Sequence, residues 1–426
     1  MISEEHRHRV FRLIVLNQCL GIFSGSLFQN GFYLNYFTEL GLSSAQIALL
    51  FSLPSFFGIF LLLPFAFYSD RWGKKRLALR GQWMLIASVV CMLIAGWAGS
   101  KSLLWIVAAL LLYCVGGNLQ GANWFALLNP IIPEKMRGRF FGRLRVTFLS
   151  VSIVFSFLIS TVLLHSQSMV VFQSILLLVV TMAGLRYLTY SRIPELENEE
   201  GEEDHHKQPL FEALKEVWKV PSYLLFNGYI FLITFFTAAI PILFGLMQKD
   251  LFGFSPSKIS MVGTWFLVGS LAGCWLGGQV VGRWGVRQVF KVTHIGFFLV
   301  FVGMLCWRLV PWSLFIHAAF CAAAYSLVVG VAGVASTFKI MALIPANNKS
   351  LSTAFTTTLI SGAVAISQLL VSRTIAWVGV SKTAGILDSV YDLLLLFFTL
   401  LIGLLFLFAF VFPPKTMRLR NQKSIY

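Results

Sequence analysis

Long, almost unbroken apolar runs alternate with short polar breaks along the whole chain. Runs long enough to cross a bilayer, about 20 residues each, fall at 12–36, 45–68, 77–99, 103–127, 145–165, 168–190, 222–247, 258–281, 289–309, 312–342, 351–378 and 389–412. They predict an all-α membrane protein of twelve spanning helices, spans 1 to 12. A β-barrel does not fit. Its strands alternate apolar and polar over short segments, whereas Leu103–Leu112 and Leu393–Phe412 are nearly continuous apolar runs.

The polar breaks repeat. Leu40-Gly41-Leu42-Ser43 is echoed 212 positions on by Phe252-Gly253-Phe254-Ser255. At the same spacing, Arg71-Trp72-Gly73 returns as Arg283-Trp284-Gly285, and Ile132-Pro133 as Ile344-Pro345. Three matches in one register predict a duplicated unit. The expected organisation is a six-helix bundle at 1–190, a linker at 191–220, a second six-helix bundle at 221–412 and a basic tail at 413–426. In the linker, Glu195, Glu197, Glu199, Glu200, Glu202, Glu203 and Asp204 crowd together, and like charges this dense stay solvated. Pro209–Val220 then reads as a short amphipathic helix.

Composition agrees with lipid as the solvent. Hydrophobic residues make up 58% of the chain and charged residues 12%, about half the usual charged share of a soluble domain. The net charge of +16 is a topology signal. If the N-terminus is cytosolic, only Lys101, Lys249, Lys258, Arg308, Arg373 and Lys382 of the 33 Lys and Arg fall on the outer side, leaving 27 inside. That bias predicts cytosolic N- and C-termini in a plasma or inner membrane. The charge is spread over seven inner segments and forms no single face, so a nucleic-acid partner is not expected. The six cysteines all fall in spans without metal or redox spacing, and read as small buried hydrophobes. No cofactor or metal is expected.

Two similar halves in a very apolar chain suggest a transporter, because repeat-built carriers bind solute where the halves meet. Beyond this, the loop after span 2 resembles the signature loop of the major facilitator superfamily. That pattern is Gly-x-x-x-Asp-Arg-x-Gly-Arg/Lys-Arg/Lys, and the chain has Ala66, then Asp70-Arg71-Trp72-Gly73-Lys74-Lys75. The second copy keeps Gly278, Arg283 and Gly285 but has Gly282 in place of the acid. The resemblance implies two pseudo-symmetric six-helix bundles that rock about a central site. It implies that Asp70 works as a gate against the start of span 11, at Asn348-Lys349-Ser350, and against Arg137 or Arg139. Arg71, Gly73 and Arg283 complete the gating set. Other family motifs depart. Gln120-Gly121 matches the span 4 pattern but Gly117 replaces its Arg, and span 5 lacks the Gly-Pro typical of antiporters.

All 17 acidic residues fall in termini, loops or span ends, so no mid-membrane carboxylate is expected to relay protons. His294 and His317 are the only histidines inside spans and the remaining candidates for proton coupling. Each also suits a hydrogen-bonded structural role. Neutral polar residues are better represented. Asn17, Ser24, Phe28 and Gln29 share one arc of span 1; Tyr113, Gln120, Asn123 and Trp124 stack on span 4; Asn227, Trp265, Tyr325 and Gln368 come from the second half. Amides donate and accept, and rings cover C–H faces, which suits a small neutral, sugar-like solute. Packing between helices is the rival reading for the Ser and Thr stripes. An exporter of an organic anion or amphiphile, and a non-transporting receptor or scaffold, remain alternatives. An enzyme would want clustered intramembrane acids and histidines and is not expected. The lipid bilayer, a small-molecule substrate and a coupling ion are the expected partners of a functional monomer.

Overall fold

The structure, a computed structural model, describes residues 4–72, 74–128, 131–132, 134–195, 218–343, 349–379 and 389–408. Most of the acidic linker, nearly all of the helix expected at Pro209–Val220, and the basic tail lie outside the described residues. Span 1 is α1 (Glu4–Gln29) and α2 (Phe32–Glu39); spans 2 to 6 are α3 (Ser44–Trp72), α4 (Lys74–Ala95), α5 (Ser102–Leu128), α6 (Glu134–His165) and α7 (Met169–Ser191). Span 7 is α8 (Pro221–Thr237) and α9 (Ile240–Asp250); α10 (Pro256–Leu305) holds spans 8 and 9; spans 10 to 12 are α11 (Leu314–Leu343), α12 (Lys349–Val378) and α13 (Val390–Phe406).

The duplicated turns have one physical form. Gly41 and Gly253 take φ of 78° and 62°, a left-handed geometry that favours glycine, and each ends a helix. Leu42 N then donates to Phe37 O at 3.1 Å, and Phe254 N to Gln248 O at 3.0 Å. The third repeated glycine, Gly285, breaks α10 with φ 73° and ψ 156°. The chain doubles back there. Phe252 and Phe254, just before α10, pack on Trp307 and Phe315, just after it, at 5.0 and 6.3 Å. So the expected loop between spans 8 and 9 is a single glycine hinge.

Glycines also set the helix spacing. A Cβ on Gly81 would lie 2.7 Å from Gly116 O, so spans 3 and 4 touch through backbone. Gly269 and Gly273 bring span 8 to the carbonyls of Ala323 and Leu327 on span 10. Close approach through small residues is how helices associate in lipid. Large apolar side chains such as Leu104, Leu164 and Phe320 are about 70% exposed; the bilayer is their solvent.

The two bundles meet along two seams, span 2 on span 11 and span 5 on span 8. We call the face bearing the N-terminus proximal and the opposite face distal. At the distal end one apolar cluster runs through both halves, from Phe32, Tyr36 and Phe37 to Phe244, Phe301 and Tyr391. At the proximal end, among the described residues, each half has its own cluster. The first holds Val10, Ile14, Trp124 and Tyr190; the second holds Val281, Val289, Phe290 and Ala335. Among the described residues the apolar cluster shared by both halves is distal, and each proximal cluster belongs to one half.

Candidate functional site

Two spans expected to be continuous are broken, one in each half. In span 1, Gly31 takes φ 75° and Asn30 Oδ1 accepts the Phe32 N–H at 3.0 Å. This is the local side-chain turn that Asn-Gly favours. In span 7 the cause is Pro241. An unbroken helix would donate the N–H of residue 241 to Thr237 O, and proline has none. Tyr325 supplies the missing donor, its hydroxyl reaching Thr237 O at 2.8 Å. The two breaks sit about one turn apart in the register of the repeat.

A cavity of about 240 Å³ lies between the two breaks. Phe28, Phe51, Phe244, Phe266 and Tyr325 give it aromatic walls, and Gln29, Gln248 and Gln368 give it amides. Among the described residues, no charged side chain lines it. The Oε1 atoms of Gln248 and Gln368 are buried without a hydrogen-bond partner. An unmade bond of this kind is costly, so these amides are set to meet a polar group. Close backbone packing forms the wall on span 8. A Cβ on Gly263 would sit 2.4 Å from Asn30 Cα.

Of the residues expected to bind solute, the cavity takes Phe28, Gln29, Tyr325 and Gln368. Tyr113 stands behind Phe28, ring centroids 4.9 Å apart. The others lie elsewhere. Asn17 donates to Arg186 O and Thr189 Oγ1 at 2.9 and 3.0 Å, holding span 1 to span 6. Gln120 is buried beside the Gly81–Gly116 contact. Trp124 is buried in the proximal cluster against Tyr190. Asn227 donates to Tyr223 O on its own helix at 2.9 Å. Ser24 is half-buried outside the cavity lining. Trp265 is 46% exposed, while its neighbour Phe266 faces in. The side chain of Asn123 lies outside the described residues, as do those of Asp70, Arg71, Arg137, Arg139 and the whole of Gly73. Arg283 is exposed beside the Gly285 hinge. His294 Nδ1 lies 2.7 Å from Phe290 O and His317 Nε2 3.0 Å from Gly303 O, both off the cavity.

The sequence reading missed three features. Gln248 ends a span beside Lys249-Asp250 and reads there as an interface residue. Arg308, counted among the outer-side charges, pairs with Asp392 at 3.0 Å. Asp392 is only 1% exposed, and also accepts from Trp307 Nε1 and Ser389 Oγ. Arg186, counted with an inner loop, projects from within span 6 toward span 1.

Polar bonds close the distal side above the cavity. Asn35 Nδ2 donates to Pro256 O and Ser260 Oγ at 3.0 and 3.3 Å. The Ser stripe of span 5 is part of this seam, with Ser156 bonding Thr264 at 2.8 Å and Ser160 O accepting from Ser257. Ser372 Oγ on span 11 donates to Ala45 O at 2.8 Å. At the rim, Ser44 of the first half meets Asp250 and Lys249 of the second, and Tyr391 bonds the same Asp250.

Solved structures share this architecture. The D-xylose-proton symporter aligns with a TM-score of 0.70 at 13% identity, over 96% of this chain and 98% of that one. The nucleoside transporter NupG, in a point-mutant form, gives 0.69 at 12% identity, over 94% and 98%. A bacterial homologue of the human lysosomal transporter Spinster, inward-facing and unoccupied, gives 0.65 at 15%, over 95% and 97%. No curated protein matches by sequence. The Major Facilitator Superfamily model matches residues 14–368. Most of the chain is thus covered by one family's pattern, on that family's fold, and the protein belongs to the Major Facilitator Superfamily of transporters.

Proposed function

We propose that the protein carries a small neutral polar solute, sugar-like in chemistry, across a plasma or inner membrane by alternating access. The observation that supports this most is the lining of the cavity between the two broken spans: three amides, five aromatic rings and no charge. Amides satisfy hydroxyl groups of either polarity, and rings cover the C–H faces between them. Discontinuous helices at matching places in two repeats are where carriers bind solute. The xylose and nucleoside carriers that share the fold handle solutes of this kind.

In this reading the proximal face is cytosolic, and the distal cluster shared by both halves is the closed outer side. Single cysteines at Lys101 and Lys382 should react with an impermeant thiol reagent in intact cells, and one at Lys74 should not. The solute class is tested in proteoliposomes with labelled neutral sugars and nucleosides beside organic acids and amines. Saturable uptake of a neutral polyhydroxylated solute is the expected result. Uptake confined to acids or amines would refute the neutral reading.

A further inference from the structure

Arg186, five residues before the end of span 6, points into the first bundle toward span 1 and has no acidic partner among the described residues. Its guanidinium fills the space left by a missing side chain. A Cβ on Gly21 would lie 2.4 Å from Arg186 Cζ and 2.5 Å from its Nε. The Nε is buried and makes no hydrogen bond. Beside it, the hydroxyl of Tyr190 is also buried and unpartnered, and Tyr190 and Tyr113 are both within electrostatic reach of the guanidinium. Two unpartnered buried donors, the Arg186 Nε and the Tyr190 hydroxyl, thus lie one helical turn apart on span 6. Charges inside a membrane span pair with something or mark an ion path, and the fixed fork of a guanidinium suits an oxyanion.

The location ties this cluster to the solute route. Gly21 and Phe28 are seven residues apart, so they share one side of span 1, about 10 Å apart along it. Phe28 lines the cavity, and Tyr113 packs on Phe28 and lies within electrostatic reach of Arg186. We propose that Arg186, with Tyr113 and Tyr190, forms an anion site on the proximal side of the cavity, which the protein uses together with its neutral solute. Given the proposed neutral solute class, on which this site's role rests, the anionic group is a free small anion moved with the solute.

The test uses purified full-length protein in nanodiscs and in proteoliposomes, with chloride, inorganic phosphate and acetate as probes against an inert gluconate background. One of the probes should raise the melting temperature of the parent. Arg186→Gln should lose this response, with an apparent anion affinity weaker by about tenfold or more, and Arg186→Lys should keep part of it. Gly21→Ala is a second variant, because its methyl group displaces the guanidinium without removing the charge. It should weaken anion binding while the protein still folds. In proteoliposomes, neutral-solute uptake that depends on the small anion identifies a free ion. Preference for a phosphorylated or carboxylated form of the solute over the neutral one, relaxed in Arg186→Gln, would overturn the co-transported anion. If no probe stabilises the parent, and Arg186→Gln and Gly21→Ala transport with the parent's anion and charge preferences, the site is structural and the proposal is wrong. Failure of every neutral solute in all variants would instead overturn the solute class and leave the nanodisc binding result standing.

Discussion

Ser44 Oγ donates a 2.6 Å hydrogen bond to Asp250 Oδ2, joining the start of span 2 to the end of span 7 across the two halves. Lys249 Nζ holds both partners, at 3.0 Å from Ser44 Oγ and 3.2 Å from Asp250 Oδ1, and Tyr391 donates to the same carboxylate. The cluster lies at the closed distal rim, and the proposed alternating-access cycle would require it to break. Hydrogen bonds to a charged group contribute about 1.5–3 kcal/mol. Asp250→Asn should therefore shift the balance toward the distally open state by about tenfold or more. In a background without the native cysteines, a cysteine at the seam residue Ser260 should label faster from outside in Asp250→Asn than in the parent. Equal labelling would show that the rim cluster does not hold the seam.

Asp70 is expected to act with the opposite sign. Its family-like loop belongs to the proximal side, where contacts with a helix N-terminus are worth about 0.3–2 kcal/mol. Asp70→Asn should keep its membrane level, transport several-fold more slowly and spend more time open to the cytosol. Gly282→Asp in the second copy should not rescue it. Normal transport in Asp70→Asn would remove the gating role.

Asp392 anchors span 12 rather than the solute. It is buried, bonded by Trp307, Arg308 and Ser389, and Arg308 stacks over the Trp307 ring at 4.3 Å. Removing one partner of a buried pair costs about 3–5 kcal/mol, less here because Arg308 is 30% exposed. Asp392→Ala should lower the melting temperature and the protein level. The half-saturation constant of the protein that remains should be unchanged, and a changed constant at normal stability would place Asp392 on the solute path.

His294 and His317 each face a backbone carbonyl of the C-terminal half, away from the cavity. Replacing both by Gln should leave the rate and pH profile of uptake close to those of the parent. A pH-dependent accumulation that disappears in the double variant would make one of them the proton carrier.

The spans were legible because a run of about 20 apolar residues leaves few alternatives, and the repeat because Gly41 and Gly253 must both adopt a left-handed turn. The breaks were present as Asn30-Gly31 and Pro241, but a long apolar run masks a turn signal. Side-chain roles were harder to read. A helical arc shows that Asn17 and Phe28 share a side of span 1, but not that span 6 takes the first and the cavity the second. Gln248 and Arg186 lie near span ends, where the usual reading of a polar residue is the membrane interface. Only the packing shows that Gly21 leaves room for a guanidinium.

The cavity amides give the most direct test of solute binding between the broken spans. The half-saturation constant for a transported neutral solute should be measured in Gln248→Ala, Gln368→Ala and Gln120→Ala at matched protein levels. Losing an amide that bonds the solute costs about 1–3 kcal/mol, so the first two variants should raise the constant roughly 5- to 150-fold. Gln120, off the cavity, should leave it unchanged. Parent-like constants in both Gln248→Ala and Gln368→Ala, or a large rise confined to Gln120→Ala, would contradict a solute site between the two broken spans.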